Sequence, residues 1–144
     1  MIEVDLKGKP IPALGFGTFR LKGDACERSV FEALAVGYRH IDTAEMYGNE
    51  AEVGAALARS GLSRDEVFVT TKVWPTRLAP SDLRASIQGS LDDLRTERVD
   101  LALIHWPSNE HPLEASLSAL CALQQSGRVD RIGVSNFTPS GLAR

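Results

Sequence analysis

The stretch Val99–Trp106, VDLALIHW, decides the fold, because it reads as a strand that cannot lie at an exposed surface. Apart from Asp100 and His105 every residue in it is apolar, the pattern of a strand covered on both faces. Such strands belong to parallel sheets, so a helix is expected on either side. On the N-terminal side, PSDLRASIQGSLDDLR (80–95) opens with Pro80 and places Leu83, Ile87, Leu91 and Leu94 at helical spacing. On the C-terminal side, HPLEASLSALCALQQSG (111–127) brings Leu113, Leu117 and Leu120 into register and stops at Gly127.

The alternation continues outward in both directions. EVFVTTKVW (66–74) and RIGVSN (131–136) read as strands, and the residues after the latter begin another helix. NEAEVGAALARSG (49–61) and DACERSVFEALAVG (24–37) read as helices, with Val53 and Leu57, then Val30, Ala33 and Leu34, turned inward. YRHIDTA (38–44) and IPALGFGTF (11–19) complete the strands. Units of roughly thirty residues imply a parallel α/β sheet with right-handed crossovers. An open doubly wound sheet and a (β/α)8 barrel of the TIM type both fit this pattern.

Composition bounds the function. With 43% hydrophobic and 24% charged residues, the chain is ordinary for a globular protein and is expected to form a single domain over residues 1–144. A net charge of −3 without a Lys/Arg run gives no electrostatic footprint for nucleic acid. The N-terminus lacks the apolar core of a signal peptide and no run reaches membrane-spanning length, so a cytoplasmic location without membrane contact is expected. Cys26 and Cys121 are expected to be free, semi-buried thiols, and no metal-ligand spacing occurs.

Residues able to do chemistry fall just after the apolar part of each strand: Asp42 with Tyr47 beyond it, Lys72, His105, and the pair Ser135 and Asn136. In parallel α/β proteins these strand ends share one face. A phenol, an ammonium, a carboxylate and an imidazole brought together there can protonate an oxyanion as it forms. Singly, each has a blander reading. Lys72 could be a solvated loop charge, Asp42 a turn cap, His105 a core histidine, and Trp74 and Trp106 packing aromatics. His40 shares a face with Asp42 by strand alternation but is read as structural, and His111 as solvent-exposed. Gly15 and Gly17 resemble the start of a dinucleotide loop, but Arg20 stands where the third glycine belongs.

The segments GFGTFRL, GYRHIDTAEMYGNEAEVGAAL, VFVTTKVW, VDLALIHWP and RIGVSNF resemble, in order and spacing, the aldo-keto reductase family, above all its small bacterial members acting on 2,5-diketo-gluconate and methylglyoxal-type carbonyls. The resemblance runs through essentially the whole chain. It implies a (β/α)8 barrel that uses NADPH and no metal to reduce a small dicarbonyl or keto-sugar acid. Tyr47 would be the general acid, Lys72 its activating neighbour, Asp42 the partner of the lysine, and His105 the residue that orients the carbonyl. Ser135 and Asn136 would hold the nicotinamide amide. Gly17 and Thr18 would bring backbone near the cofactor, Asp42 would also belong to the cofactor site, and Phe19, Trp74 and Trp106 would line the substrate pocket. Family members are about twice as long, so about five of the eight βα units are expected here, with open first and fifth strands. The inward strand faces read as apolar, so self-association or a complementing C-terminal half is expected as partner, and weak or no turnover from this length alone. A partly folded, non-enzymatic binding module is the other reading. A flavodoxin-like domain fits the unit count but leaves the strand-end residues unexplained.

Overall fold

Branched side chains concentrate in the short runs between the helices, and those runs are the strands. The computed structural model describes residues 2–6 and 9–142. An antiparallel hairpin, β1 (Glu3–Leu6) and β2 (Lys9–Pro12), precedes a parallel sheet of five strands. These are β3 (Phe16–Gly17), β4 (His40–Asp42), β5 (Phe68–Val73), β6 (Val99–Ile104) and β7 (Val129–Val134), paired in chain order. Helices α1 (Gly23–Ala35), α2 (Glu50–Arg59), α3 (Pro80–Leu94) and α4 (Leu113–Gln125) make the crossovers, and α5 (Pro139–Leu142) follows β7.

The register assigns each strand residue to a layer. Asp42 stands opposite Thr70 and His40 opposite Phe68, while Lys72 pairs with Leu103 and Leu103 with Gly133. Alternation therefore puts His40, Asp42, Phe68, Thr70 and Lys72 on one face and Ile41, Val69, Thr71 and Val73 on the other. The second face is the core side. Ile41, Val69, Val73, Ala102 and Ile104 are buried with Val30, Val53, Leu83, Ile87 and Leu120 from the helices. At the end of the sheet where β5 begins, His40 packs edge-on against Phe68 and the Arg131 guanidinium lies 5.1 Å from the same ring. The hairpin meets this end through the Pro12 carbonyl, 3.3 Å from His40 Nδ1. His40 Nε2 lies 3.0 Å from Thr70 Oγ1, which supports the structural reading of that residue.

Four expectations need correction. The run 11–19 is not one strand: its start belongs to the hairpin and only Phe16–Gly17 joins the parallel sheet. The inward faces are not uniformly apolar, because Asp42, Thr70, Lys72 and Arg131 lie there beside half-buried Leu101 and Leu103. The run VDLALIHW hides this, since β6 carries the most apolar inner face of the sheet. Cys26 is fully buried, but Cys121 is exposed, and His111 is half-buried rather than open to solvent.

Close packing of α2 on α3 depends on Gly54. A Cβ there would stand 2.3 Å from the Asp93 carbonyl oxygen and 2.9 Å from Leu94 Cα, both backbone atoms that cannot swing away. We predict that Gly54→Ala lowers stability by about 2 kcal/mol or more, measured by urea unfolding. An unchanged midpoint would show that the two helices can part freely.

Candidate active site

The site begins with a charge in an awkward place. Lys72 is the last inward-facing residue of β5 and its side chain is 8% exposed. An ammonium so buried needs a counter-charge and a partner for each of its three hydrogens. Lys72 Nζ donates to Asp42 Oδ1 at 2.5 Å and to the Thr43 carbonyl at 3.0 Å, and lies 3.4 Å from Tyr47 Oη. Asp42 closes the neighbouring strand β4. Tyr47 ends a single 3-10 turn, Glu45–Tyr47, that follows it.

Aromatic rings wall this group. His105 stands edge-on to Tyr47 at 5.7 Å between centroids and to Trp74 at 5.2 Å. Phe19 lies 5.1 Å from the Tyr47 ring, half-exposed. Trp106 is 46% exposed and makes no ring contact of this kind among the described residues. Burial holds His105 below the ordinary imidazole value of 6.5, and the Lys72 charge pushes the same way. Its Nδ1 is buried without a partner among the described residues. An acceptor is left unpaired at lower cost than an N–H, which favours the tautomer with the proton on Nε2.

The loops beside these strand ends are tied down from within. Thr18 is fully buried: its N–H donates to the Asp42 carbonyl at 2.9 Å and its own carbonyl accepts from Asn49 Nδ2 at 2.9 Å. What Thr18 can offer a bound molecule is therefore the shape of its loop. Gly17 is exposed, and a Cβ built there meets no atom within 4 Å. Ser135 continues the ladder through its N–H to the Ile104 carbonyl at 2.8 Å. Asn136 follows at φ 63°, a left-handed conformation that asparagine tolerates, and its Nδ2 donates to the His105 carbonyl at 2.9 Å and to Ser135 Oγ at 3.0 Å.

Two residues that brace the site, Asn49 and Glu45, and one behind the sheet, Glu50, escaped the sequence reading. Asn49 stands where a helix cap is expected, directly before α2, yet makes no capping bond. Its amide instead joins the Thr18 and Leu21 carbonyls and accepts from Thr43 Oγ1 at 3.1 Å. Glu50 is buried between the hydroxyls of Thr71 (2.5 Å) and Ser90 (2.8 Å), and burial pushes its carboxyl above the ordinary value. Glu45 bridges the Trp74 backbone and Ser86. A polar pair such as Asn49-Glu50 before an amphipathic helix gives no local sign of which way its side chains turn. No group of residues suited to hold a metal ion occurs among the described residues.

The model of the aldo/keto reductase family matches residues 13–144. Methylglyoxal reductase DkgB of Escherichia coli O157:H7 is 51% identical over 130 residues, which cover 89% of this chain and 49% of that protein. The crystal structure of an aldo/keto reductase from Brucella melitensis superposes with a TM-score of 0.94 at 42% identity, over 99% of this chain and 57% of that one. A Bombyx mori aldo-keto reductase in complex with NADP gives 0.91 at 31% identity, over 99% and 53%. The chain spans about half the length of the curated relatives it matches. Its parallel sheet is thus the arrangement of an aldo-keto reductase barrel, over the part that it covers.

The depressed histidine gives a measurable consequence. We predict that His105 titrates below 6.5 in an NMR pH series and moves upward in Lys72→Met, which removes the second cause of the shift. The unfolded chain binds this proton more readily, so the stability that His105 contributes is complete above 6.5 and falls as the pH drops below it. An ordinary titration for His105 in the wild-type chain would mean that the ring is not desolvated.

Proposed function

The chain belongs to the aldo/keto reductase family, and from that premise we propose that it forms the proton-donating part of a cytoplasmic NADPH-dependent carbonyl reductase. Residues 1–144 act in this reading as one unit, the N-terminal part of a (β/α)8 barrel. The observation that carries it is the contact of Tyr47 Oη with a lysine that is itself bonded to Asp42.

A nicotinamide cofactor, when bound, supplies a hydride to the carbonyl carbon, and the electron pair of the C=O bond moves onto oxygen. Tyr47 donates its phenolic proton to that oxygen as the charge develops, giving the alcohol. The Lys72 ammonium stabilises the negative charge left on the phenol, and Asp42 keeps the ammonium charged and aimed. His105, neutral at physiological pH, donates its single N–H to the carbonyl oxygen and so orients the substrate against Tyr47. Phe19, Trp74 and Trp106 exclude water around it.

The residues present fit the cofactor on two counts. The Ser135 hydroxyl hydrogen and Asn136 Oδ1 have no protein partner among the described residues, a donor and an acceptor that match a carboxamide's oxygen and amide hydrogens. The open space over Gly17 is where a side chain would obstruct a flat ring. We propose these residues, with the Thr18 loop, as the nicotinamide side of the cofactor site. Substrates are small dicarbonyls, in keeping with the relative named methylglyoxal reductase, with keto-sugar acids as the next class to test. The strands β3 and β7 each pair on one side only among the described residues, and we propose that the remaining barrel half, or a second copy, meets them there.

Oxidation of NADPH with methylglyoxal tests the reading, with the chain alone and with the C-terminal half of a DkgB-type reductase added. We predict little turnover alone and clear turnover on complementation, lost by about 100-fold or more in Tyr47→Phe. Complemented activity indifferent to Tyr47→Phe would remove Tyr47 as the proton donor. Binding without any turnover would favour a non-enzymatic module.

A further inference from the structure

We propose that Glu45 is a positioning residue for Tyr47 and Trp74, its carboxylate fastening the turn that carries the phenol to the end of β5. The functional weight of this role rests on the reading of Tyr47 as proton donor. Glu45 Oε1 accepts the Trp74 backbone N–H at 3.1 Å, and Oε2 accepts the hydroxyl of Ser86, a residue of α3 that is 4% exposed. One carboxylate thus joins the 3-10 turn, the strand that holds Lys72, and the helix behind it.

The geometry explains why a second joint is needed. The turn is a single one, closed by Tyr47 N–H to the Ala44 carbonyl and Gly48 N–H to the Glu45 carbonyl, both at 3.0 Å, and Ala44 has no side chain able to cap it. Structure of this length does not hold itself against solvent. The Lys72 bonds hold the chain before the turn and the phenol that ends it, and Lys22 Nζ donates to the Tyr47 carbonyl; Glu45 adds the tie at the start of the turn itself. Glu45 lies two residues before Tyr47, and Trp74 two residues after Lys72. The Glu45–Trp74 bond therefore runs beside the 3.4 Å contact of Tyr47 Oη with Lys72 Nζ and connects the same two segments.

Trp74 gains as well. It follows the last residue of β5, where its N–H has left the ladder and would otherwise need water. Glu45 supplies a charged acceptor, which makes a stronger bond than a neutral one. Fixing this backbone also fixes the indole, whose ring lies edge-on to His105 at 5.2 Å. A solvated surface glutamate would leave its oxygens to water. Here each oxygen has a protein donor and the side chain is half-buried.

NMR of the 144-residue chain gives the test, using Glu45→Ala, Glu45→Asp and Glu45→Gln. Two signals are read: hydrogen exchange of the Trp74 amide, and the Tyr47 ring resonances, which the neighbouring Phe19 and His105 rings displace. Alanine is expected to speed Trp74 exchange by about tenfold, as loss of one hydrogen bond requires, and to move the Tyr47 signals toward random-coil positions. Aspartate keeps the charge but is one methylene too short and is expected to behave like alanine. Glutamine keeps the length and the acceptor and is expected to preserve both signals. Should Glu45→Ala not fold, the contrast between aspartate and glutamine decides alone. Unmoved signals in aspartate, or glutamine as disruptive as aspartate, would overturn the proposal. Activity of Tyr47→Phe reports separately on the proton donor: loss of Trp74 protection in the Glu45 variants supports the anchorage even where Tyr47→Phe stays active.

Discussion

An ammonium stays out of water only where its charge and its hydrogens are met, and the arrangement of this site follows from how Lys72 meets that condition. Asp42 supplies the charge, the Thr43 carbonyl and the Tyr47 hydroxyl complete the set, and all three come from the segment beside β5. Breaking a buried pair costs about 3–5 kcal/mol, and the 36% exposure of Asp42 places this one at or below the lower end of that range. That is enough to hold the end of β4 and the turn after it in one place. The phenol is therefore brought to the ammonium by the same bonds that make the buried lysine tolerable.

Around this centre the remaining polar groups act as ties between loops. Asn49 spends its amide on the Thr18 loop and on Thr43, so the end of β3 and the end of β4 cannot separate. Asn136 reaches back to the His105 carbonyl and joins the end of β7 to that of β6. The apolar core lies on the far side of the sheet, under the helices, and supplies rigidity rather than chemistry. This division places a polar mouth on an apolar scaffold, the condition under which side chains can be held for a reaction.

The helices and the five parallel strands were legible because their signals are periodic and local. Leu83, Ile87, Leu91 and Leu94 lie buried as their spacing required. The strand-end positions of Asp42, Lys72, His105 and Ser135 were legible for the same reason, since each closes a segment that reads locally as a strand. The hairpin was not, because Pro10 and Pro12 mask a strand that pairs, Glu3 with Pro12 and Leu6 with Lys9, against its immediate neighbour in sequence. The roles of Glu45, Asn49 and Glu50 were equally hidden: each depends on a partner brought near by the fold, Trp74, Thr18 and Ser90 respectively. The mixed character of the inner face is hidden in the sequence because β6, the most apolar strand there, carries its clearest signal.

The central claim is that Asp42, Lys72 and Tyr47 act as one proton-donating unit. A double-mutant cycle of Tyr47→Phe and Lys72→Met, on NADPH-dependent reduction by the complemented barrel, tests it most directly. Residues acting as a unit give strongly non-additive losses, so the double variant should be little worse than Tyr47→Phe alone. Losses that simply multiply would show that lysine and tyrosine act independently and would contradict the account.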